Sequence, residues 1–409
     1  MRLQLSFPAE KKINKTIKIT GSKSETNRSL LLKALFANVT IENLSNSDDG
    51  QVMQKGLNTS HGEVDIHHAG TAMRFLTGYF ASQAGKEVVL TGSKRMKERP
   101  IKVLVDALRD LGAEIDYMGE EGCPPIKIKG KKLVKNKVSL PANISSQYIS
   151  SLLLIAPSLE YGLEMELIGK ITSVPYIKMT LGLLGQIGVE TSFEGNTIKV
   201  TPKKQVKDTT LVVESDWSSA SYFYSIVALC SVGTEIKLSS YKENSLQGDS
   251  VLVKIYKDFG VETNFSDNQI TLSKVKECSL DTVNYDLSNA PDIAQTISVT
   301  CLGLGMGCYL TGLHTLPIKE TDRLGAMKTE LEKLGAKVDI DSESLTLQPT
   351  KEILSGISID TYNDHRMAMA FGPLALKTDF FVNDAEVVSK SYPDFWSDLK
   401  TLGFSVQEM

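Results

Sequence analysis

The segment Leu108-Arg-Asp-Leu-Gly112-Ala-Glu-Ile115 has the pattern of the last turn of an amphipathic helix, a glycine and the start of a strand. A glycine placed there can adopt the left-handed conformation that ends a helix, and alternating residues after it are typical of a strand. The pattern returns around later glycines, and successive copies are 76, 72, 75 and 68 residues apart. These later glycines are Gly188, Gly260, Gly335 and Gly403. Recurrence at this period predicts a chain built from repeated α/β units.

A second pattern recurs with the same period: a small or polar residue, then a helix that is apolar on nearly all sides. A helix of this kind is buried on all sides. The starts are 46, 75, 73, 73 and 73 residues apart, near Ser24, Gly70, Ser145, Ser218, Pro291 and Asp364. Each unit therefore combines one buried helix, one amphipathic helix and about four strands. The short first interval predicts that the opening unit lacks a strand pair between Gly50 and His67.

Six such units predict an α/β (α+β) chain with two domains of three units each. The chain begins with a strand at residues 1–7 and ends with another at 405–407, so we expect the N-terminal strand to join the C-terminal half. This interpretation assigns residues 1–20 and 216–409 to domain 1 and residues 21–215 to domain 2. We expect the functional site in the cleft between the domains.

The composition argues against two classes of function. The 409 residues are 41% hydrophobic and 23% charged, with a net charge of −4 and no basic tail, which opposes a dedicated nucleic-acid binder. No apolar run is long enough to cross a bilayer, and the opening Met-Arg-Leu-Gln-Leu-Ser lacks the apolar core of a signal peptide. We therefore expect a cytoplasmic protein without membrane contact.

The cysteines and histidines predict neither disulfides nor a metal site. No zinc-binding spacing occurs among the cysteines, which are Cys123, Cys230, Cys278, Cys301 and Cys308. The adjacent His67 and His68 would point to opposite faces of a strand. The chain also has no G-x-S-x-G nucleophile elbow, which opposes a serine hydrolase.

Charged residues gather where the buried helices begin, most clearly in Gly21-Ser-Lys-Ser-Glu-Thr-Asn-Arg28. The first N–H groups of a helix have no intrahelical partner and carry partial positive charge. Adding Lys23 and Arg28 to such an end favours a phosphate or a carboxylate. The segment is not a P-loop, because no glycine lies five residues before Lys23.

The other helix starts repeat this pattern of polar and charged residues. They are His68 to Arg74 with the following Arg99, Ser145 to Gln147, Asp216 to Ser219, Asp292, and Asn363 to Arg366, with Lys319-Glu-Thr-Asp-Arg323 and Lys390 nearby in sequence. Each of them alone is compatible with an ordinary helix cap or a solvated turn. Their recurrence at all six starts predicts a site for a multiply anionic small molecule.

These residues resemble the 5-enolpyruvylshikimate-3-phosphate synthase family, whose motifs occur here in the family's order along the whole chain. The motifs are Gly21-Ser-Lys-Ser-x-x-x-Arg28, Ala69-Gly-Thr-Ala-Met-Arg74, Leu90-Thr-Gly…Arg95-Met-Lys-Glu-Arg-Pro100, Ser145-Ser-Gln147, Ser173-x-Pro-Tyr176, Asp216-x-Ser-Ser-Ala-Ser221, Pro291-Asp292, Lys319-Glu-Thr-Asp-Arg323 and Tyr362-Asn-Asp-His-Arg-Met-Ala-Met369. The resemblance implies two domains, each of three βαβαββ units in an inverse α/β barrel-like fold, that close on substrate.

The resemblance also implies a reaction of the shikimate pathway, which makes aromatic amino acids. The 5-hydroxyl of shikimate 3-phosphate would add to C2 of phosphoenolpyruvate, and phosphate would then leave. Neither a metal nor an organic cofactor is implied, and we expect a monomer whose partners are these two anionic substrates. The family is the target of glyphosate. His68 and Phe75 stand where asparagine and proline are usual, which predicts altered sensitivity to that inhibitor.

Site residues follow from the resemblance position by position. The residues implied to hold shikimate 3-phosphate are Lys23, Ser24, Arg28, Ser145, Ser146, Gln147, Ser173, Asp292, Thr315 and Lys319, although asparagine often stands at the position of Thr315. Those implied to hold phosphoenolpyruvate are Lys23, Gly70, Arg99, Gln147, Arg323, Arg366 and Lys390. The implied catalytic residues are Asp292, which takes the hydroxyl proton, Glu320, which protonates the methylene carbon, and Lys23, which stabilises the developing charge.

Two other functions are alternatives that the sequence leaves open. One is UDP-N-acetylglucosamine enolpyruvyltransferase, which shares the fold and phosphoenolpyruvate. That enzyme commonly has a cysteine in the loop before the arginine that corresponds to Arg99, and Gly92 to Arg99 contains none. The other is a non-catalytic repeat protein that binds anions or nucleic acid. The acidic balance and the absence of aromatic residues beside basic runs oppose it.

Overall fold

The computed structural model describes residues 1–7, 12–142, 145–169, 171 and 174–409. They form two compact units. Unit 1 consists of Met1–Thr20 and Glu214–Met409, and unit 2 consists of Gly21–Val213. Unit 2 is therefore an insertion within the chain of unit 1.

Short strands make up the sheets of both units. In chain order they are β1 (Leu3–Ser6), β2 (Asn14–Ile17), β3 (Val39–Glu42), β4 (His61–Asp65), β5 (Glu87–Thr91), β6 (Glu114–Tyr117), β7 (Ile126–Lys129), β8 (Lys137–Pro141), β9 (Leu163–Ile168), β10 (Thr191–Glu194), β11 (Thr197–Val200), β12 (Thr209–Val212), β13 (Glu235–Ser239), β14 (Val261–Ser266), β15 (Gln269–Lys274), β16 (Thr282–Asp286), β17 (Gly307–Thr311), β18 (Val338–Ile340), β19 (Leu345–Leu347), β20 (Ile357–Ile359), β21 (Phe380–Val382) and β22 (Ser405–Glu408).

Helices lie between these strands or groups of strands along the chain. They are α1 (Lys23–Leu35), α2 (Asp48–Leu57), α3 (Gly70–Ser82), α4 (Lys94–Lys97), α5 (Lys102–Asp110), α6 (Ser146–Ile155), α7 (Val174–Gln186), α8 (Trp217–Leu229), α9 (Leu252–Asp258), α10 (Ala294–Leu304), α11 (Arg323–Lys333), α12 (His365–Phe371) and α13 (Phe395–Thr401). Every helix in the described ranges is too short or too polar to cross a membrane.

The described sheets of unit 2 show that one repeat is shortened. Two of them have four strands each, in the orders β4-β5-β7-β6 and β10-β11-β9-β8, and each combines a parallel pair with an antiparallel hairpin. The remaining sheet pairs only β12 with β3, in parallel. The hairpin that follows α5 and α7 in the other repeats has no counterpart after α2, which confirms the expected loss of a strand pair.

The sheets of unit 1 are completed by the N-terminal segment. Their orders are β14-β15-β13-β2, β16-β17-β19-β18 and β20-β21-β1-β22. Strand β2 runs parallel to β13, and β1 lies between β21 and β22, antiparallel to both. The first residues of the chain thus contribute to two sheets whose other strands come from its second half.

Glycine ends the amphipathic helices as the sequence predicts. The residue two positions after the end of α5, α7, α9, α11 and α13 is a glycine with positive φ in each case. The φ angles are +107° at Gly112, +78° at Gly188, +78° at Gly260, +94° at Gly335 and +99° at Gly403. These conformations turn the chain from each helix into the strand that follows it, because a left-handed residue disrupts the helical hydrogen-bond ladder.

The apolar helices form the centre of each unit. In unit 1, α10 packs against both α8 and α12, and in unit 2, α3 packs against α1 and α6. Between α8 and α10 the Ser221 and Thr296 hydroxyls are 3.0 Å apart, and Thr300 donates to Ser225 at 2.8 Å. Because buried polar groups need hydrogen-bond partners, these pairs restrict how the two helices align.

Candidate active site

In unit 1, Asp292 is surrounded by three cations. It lies in a short 3-10 turn directly before α10. Its Oδ1 is 2.9 Å from Nη1 of Arg323 and 3.5 Å from Nζ of Lys319, and its Oδ2 is 3.1 Å from Nη2 of Arg366. Burial opposes ionisation of Asp292, but Arg366, Lys319 and Arg323 outweigh it and lower the pKa of the carboxyl below its ordinary value. Asp292 is therefore ionised at neutral pH.

Arg323 joins three carboxylates at the start of α11. It is 2% exposed, and besides Asp292 it contacts Glu320 at 2.8 Å and Asp364 at 2.7 Å. Burial alone would lower the pKa of Arg323, but Asp364, Glu320 and Asp292 together raise it above its ordinary value. This guanidinium is thus a fixed charge to which both predicted catalytic carboxylates are bound.

Arg366 and Lys390 lie close to the start of α12. Asp364 caps this helix by accepting from the backbone N–H of Arg366 at 2.9 Å. Arg366 also donates to the Asp292 carbonyl at 3.2 Å and to Ser218 Oγ at 3.2 Å. Lys390 donates to the carbonyl oxygen of Asn363. Asp364 and Asn363, which directly precede α12, therefore bind the predicted cationic residues Arg366 and Lys390.

Asp249 is a member of this cluster that the sequence reasoning missed. It is 4% exposed, lies in a short 3-10 turn before α9, and accepts a hydrogen bond from Ser218 Oγ. Burial and the neighbouring Asp292 raise the pKa of Asp249 to about 7. No motif or periodicity marks Asp249, and only its place in the fold connects it to the site.

In unit 2, Arg28 is buried among neutral groups. It is 2% exposed, and it donates to Thr180 Oγ1 at 2.8 Å, to Ser150 Oγ at 3.0 Å and to the Ser24 carbonyl at 2.9 Å. Its guanidinium lies 5.2 Å from the centre of the Phe75 ring. Burial lowers the pKa of Arg28 to about 10, and among the described residues no carboxylate lies within ion-pair distance of it.

Lys23 begins α1 and pairs with a carboxylate of α2. Its Nζ is 3.3 Å from Oδ2 of Asp49, and both side chains are largely buried. The Ser22 hydroxyl, just before this helix, is buried and has no hydrogen-bond partner among the described residues. Just before it, a Cβ at Gly21 would lie 1.8 Å from the Asn43 carbonyl oxygen. Only glycine therefore fits this position.

Arg99 lies against the start of α3. A Cβ placed on Gly70 would be 2.7 Å from Nη1 of Arg99, so the absence of a side chain at Gly70 is what admits the guanidinium. Arg74 supports this arrangement by donating to the carbonyls of Gly70 at 3.2 Å and Pro100 at 3.0 Å. The start of α3 is thus a positively charged surface made by a helix N-terminus and an arginine.

The remaining predicted residues are mostly hydroxyl and amide side chains. Ser145 caps α6 by accepting from the N–H of Gln147 at 3.3 Å, and Gln147 Nε2 donates to Thr71 Oγ1 at 3.1 Å. Ser146 is buried beside them. Thr315 has a buried hydroxyl without a described partner, and Ser173 lies outside the described residues. Within the ranges that the structure describes, no group of His, Cys, Asp and Glu side chains is suited to a metal ion.

Comparisons with known proteins agree on one family. Residues 55–399 match the sequence model of EPSP synthase (3-phosphoshikimate 1-carboxyvinyltransferase). The chain is 42% identical over 411 residues to the 3-phosphoshikimate 1-carboxyvinyltransferase of Bacteroides fragilis strain YCH46, covering 100% of this chain and 99% of that protein. Identity to the Vibrio vulnificus strain YJ016 protein of the same name is 36% over 428 residues, covering 97% and 98%.

Two solved structures share the fold. The EPSP synthase of Acinetobacter baumannii superimposes with a TM-score of 0.80 at 21% identity, covering 100% of both chains. The enolpyruvyl transferase NikO of Streptomyces tendae gives a TM-score of 0.77 at 13% identity, covering 100% of this chain and 99% of that one. At these identities the likeness supports the enolpyruvyl transferase fold alone.

Proposed function

This chain belongs to the EPSP synthase family of 3-phosphoshikimate 1-carboxyvinyltransferases, and we propose which of its residues carry out the reaction. The enzyme transfers the enolpyruvyl group of phosphoenolpyruvate to the 5-hydroxyl of shikimate 3-phosphate and releases phosphate. The assignment of the site residues rests on the cluster around Asp292, in which three cations contact one carboxylate. We further propose that a single chain is sufficient for activity.

Phosphoenolpyruvate carries a phosphate and a carboxylate and therefore needs several fixed positive charges. Arginine suits this task because its planar guanidinium binds either anion through two parallel hydrogen bonds. The cations proposed for it in unit 1 are Arg323, Arg366 and Lys390. In unit 2 the proposed residues are Lys23, Arg99 and Gln147, together with the backbone at Gly70.

Shikimate 3-phosphate is also a double anion, and Arg28 supports its binding in unit 2. A buried guanidinium without a carboxylate partner is costly, and an anionic ligand would relieve that cost. The hydroxyls and amides proposed to complete this half of the site are Ser24, Ser145, Ser146, Gln147, Ser173 and Thr315. Lys319 and Asp292 would contact the same substrate from unit 1.

The proposed chemistry is an addition followed by an elimination. Asp292 accepts the proton of the 5-hydroxyl while that oxygen forms a bond to C2 of phosphoenolpyruvate, and Glu320, reacting in its protonated form, gives its carboxyl proton to C3. In the second step Glu320 takes back a proton from C3, the double bond reforms, and the C2–O bond to phosphate breaks. The departing phosphate takes the proton held by Asp292. Lys23 stabilises the negative charge on the departing phosphate.

The lowered pKa of Asp292 indicates how substrate binding and base strength are connected. Against the opposing effect of burial, Arg366, Lys319 and Arg323 stabilise the ionised carboxylate and lower its pKa, which makes it a poor base. Anionic substrates that bind these cations would weaken this stabilisation and raise the pKa of Asp292. Asp292 would then become an effective base only when both reactants are bound.

Phosphate release gives a direct test of the proposed function. The purified protein is incubated with phosphoenolpyruvate and either shikimate 3-phosphate or UDP-N-acetylglucosamine, and inorganic phosphate is measured. We expect turnover with shikimate 3-phosphate alone. Turnover only with the nucleotide sugar would assign the protein to the other enolpyruvyl transferase reaction, and turnover with neither would favour a binding protein.

A further inference from the structure

A tight turn precedes the start of α12, and its first central residue is unusual. The central residues Tyr362 and Asn363 have φ of +53° and +54°, and the N–H of Asp364 donates to the Thr361 carbonyl at 2.8 Å. Positive φ at both central positions defines the type I′ turn, which strongly favours asparagine, aspartate or glycine. A tyrosine in this conformation is strained, because its side chain crowds the backbone.

Another turn of the chain has the residue types that usually occupy two consecutive positions with positive φ. Asp267 and Asn268 join β14 to β15 with φ of +50° and +57°, and both residue types tolerate the left-handed conformation. Tyr362 therefore departs from the preference for asparagine, aspartate or glycine that the turn at Asp267 and Asn268 follows. Strain of this kind persists only when surrounding contacts hold it, and it gathers at functional sites.

A buried carboxylate on α11 supplies those contacts. Glu330 is fully buried, and its Oε1 accepts from the Tyr362 hydroxyl at 2.5 Å. Its Oε2 accepts from the backbone N–H of Asp360 at 3.2 Å, and Lys333 donates to it at 2.8 Å and to Asp360 Oδ2 at 2.8 Å. Burial and Glu330 raise the pKa of Tyr362 to about 12, so the hydroxyl keeps its proton as a donor at neutral pH.

The same turn supports the cations of the site. The carbonyl of Asn363 accepts from Lys390, and the next residue, Asp364, caps α12 and binds Arg323 at 2.7 Å. Glu330 and Arg323 lie on one helix, α11. One buried carboxylate thus links the helix that carries Arg323 to the turn that fixes Asp364 and Lys390.

We infer that Glu330 and Tyr362 are positioning residues for phosphoenolpyruvate binding, acting by holding the 362–363 turn in its left-handed form. This inference rests on the proposed function, which assigns Arg323, Arg366 and Lys390 to phosphoenolpyruvate. Relaxation of the turn would move the Asn363 carbonyl and Asp364. Lys390 and Arg366 would then lose their fixed positions without any change in the cations themselves.

Steady-state kinetics of Tyr362 variants test the inference. Tyr362→Phe keeps the ring but removes the hydroxyl, and we expect KM for phosphoenolpyruvate to rise about fivefold, the size of one lost net hydrogen bond. We expect kcat and KM for shikimate 3-phosphate to stay near their original values. Tyr362→Asn also lacks the hydrogen bond but tolerates positive φ, so it should restore most of the affinity for phosphoenolpyruvate.

A matched control separates positioning from general stability. Tyr285 donates to Asp258 Oδ2 at 2.7 Å in the same unit, but it lies on β16 and has no positive φ. Tyr285→Phe should lower the melting temperature as Tyr362→Phe does while leaving both KM values unchanged. An unchanged KM for phosphoenolpyruvate in Tyr362→Phe, or equal impairment in Tyr362→Asn, would overturn the inference.

Lys390→Met distinguishes failure of the positioning inference from failure of the proposed function. If Lys390 binds phosphoenolpyruvate, Lys390→Met raises KM for phosphoenolpyruvate whether or not Tyr362 positions that lysine. A normal KM in Lys390→Met would instead show that this cation was wrongly assigned. The inference requires both Lys390→Met and Tyr362→Phe to be impaired.

Discussion

In unit 1 the cations around Asp292 already have carboxylate partners, whereas in unit 2 Arg28 is buried among hydroxyls and carbonyl oxygens. Arg323 contacts three carboxylates, whereas no carboxylate of the described residues lies within ion-pair distance of Arg28. An anion that binds the cations around Asp292 would have to compete with their existing carboxylate partners, whereas an anion beside Arg28 would add the countercharge that this buried guanidinium lacks.

Loss of the central carboxylate should have the largest effect. Asp292→Asn keeps the shape of the side chain but cannot accept the hydroxyl proton, and we expect kcat to fall about 10²–10⁴-fold. Binding of shikimate 3-phosphate, measured by calorimetry, should persist. Weakened substrate binding with an unchanged kcat at saturating substrate would contradict the catalytic role and leave Asp292 as a binding residue.

Removal of the two buried arginines should affect stability very differently. Arg323→Met leaves the buried Asp364 and the partly exposed Asp292 and Glu320 without their common cation, so we expect a loss of about 3–5 kcal/mol in the free energy of unfolding. Arg28→Met should cost about 1 kcal/mol or less, because the Thr180 and Ser150 hydroxyls remain hydrogen-bonded to each other at 3.0 Å.

Denaturant unfolding of both arginine variants measures this contrast. Equal losses would mean that Arg28 has an anionic partner or that the carboxylates of unit 1 relax freely. In either case, the comparison between the two regions would be wrong.

The close approach at α3 predicts a smaller, specific effect. Gly70→Ala would place a Cβ 2.7 Å from Nη1 of Arg99, so the guanidinium must move, and we expect KM for phosphoenolpyruvate to rise about tenfold. Gly185→Ala on α7 is the matched control, because its added Cβ meets no atom within 4 Å. Similar kinetics of the two variants would show that Arg99 adapts without loss.

Asp249 gives an effect of a different kind, a pH dependence of stability. Its pKa is raised to about 7 in the folded chain, so the folded state keeps a proton that the unfolded state loses near pH 4. The stability from this group is therefore complete below pH 4 and is lost as the pH rises to about 7, by at most about 1.4 kcal/mol per pH unit. Melting curves should show a weaker decline in Asp249→Asn. Parallel declines in both proteins would contradict the assignment.

The periodicity of apolar residues predicted the repeats, because apolar residues recur where a helix is buried. The glycines after α5, α7, α9, α11 and α13, and the polar starts of the buried helices, are local features that the sequence displays directly. Asp249 and Glu330 could not be predicted in this way, because each acts through residues far from it in the chain. The burial of Arg28 without a carboxylate also depends on side chains from α6 and α7, which no local pattern connects to α1.

The pairing of β1 with β21 and β22 has a consequence for synthesis. Unit 2 is contiguous, from Gly21 to Val213, and can fold while the ribosome is still translating the rest of the chain. Residues 3–6 are synthesised long before their partners at 380–382 and 405–408. Strand β1 must therefore stay unpaired until those partners have been made, and a chaperone that covers it during this interval would protect the nascent enzyme from aggregation.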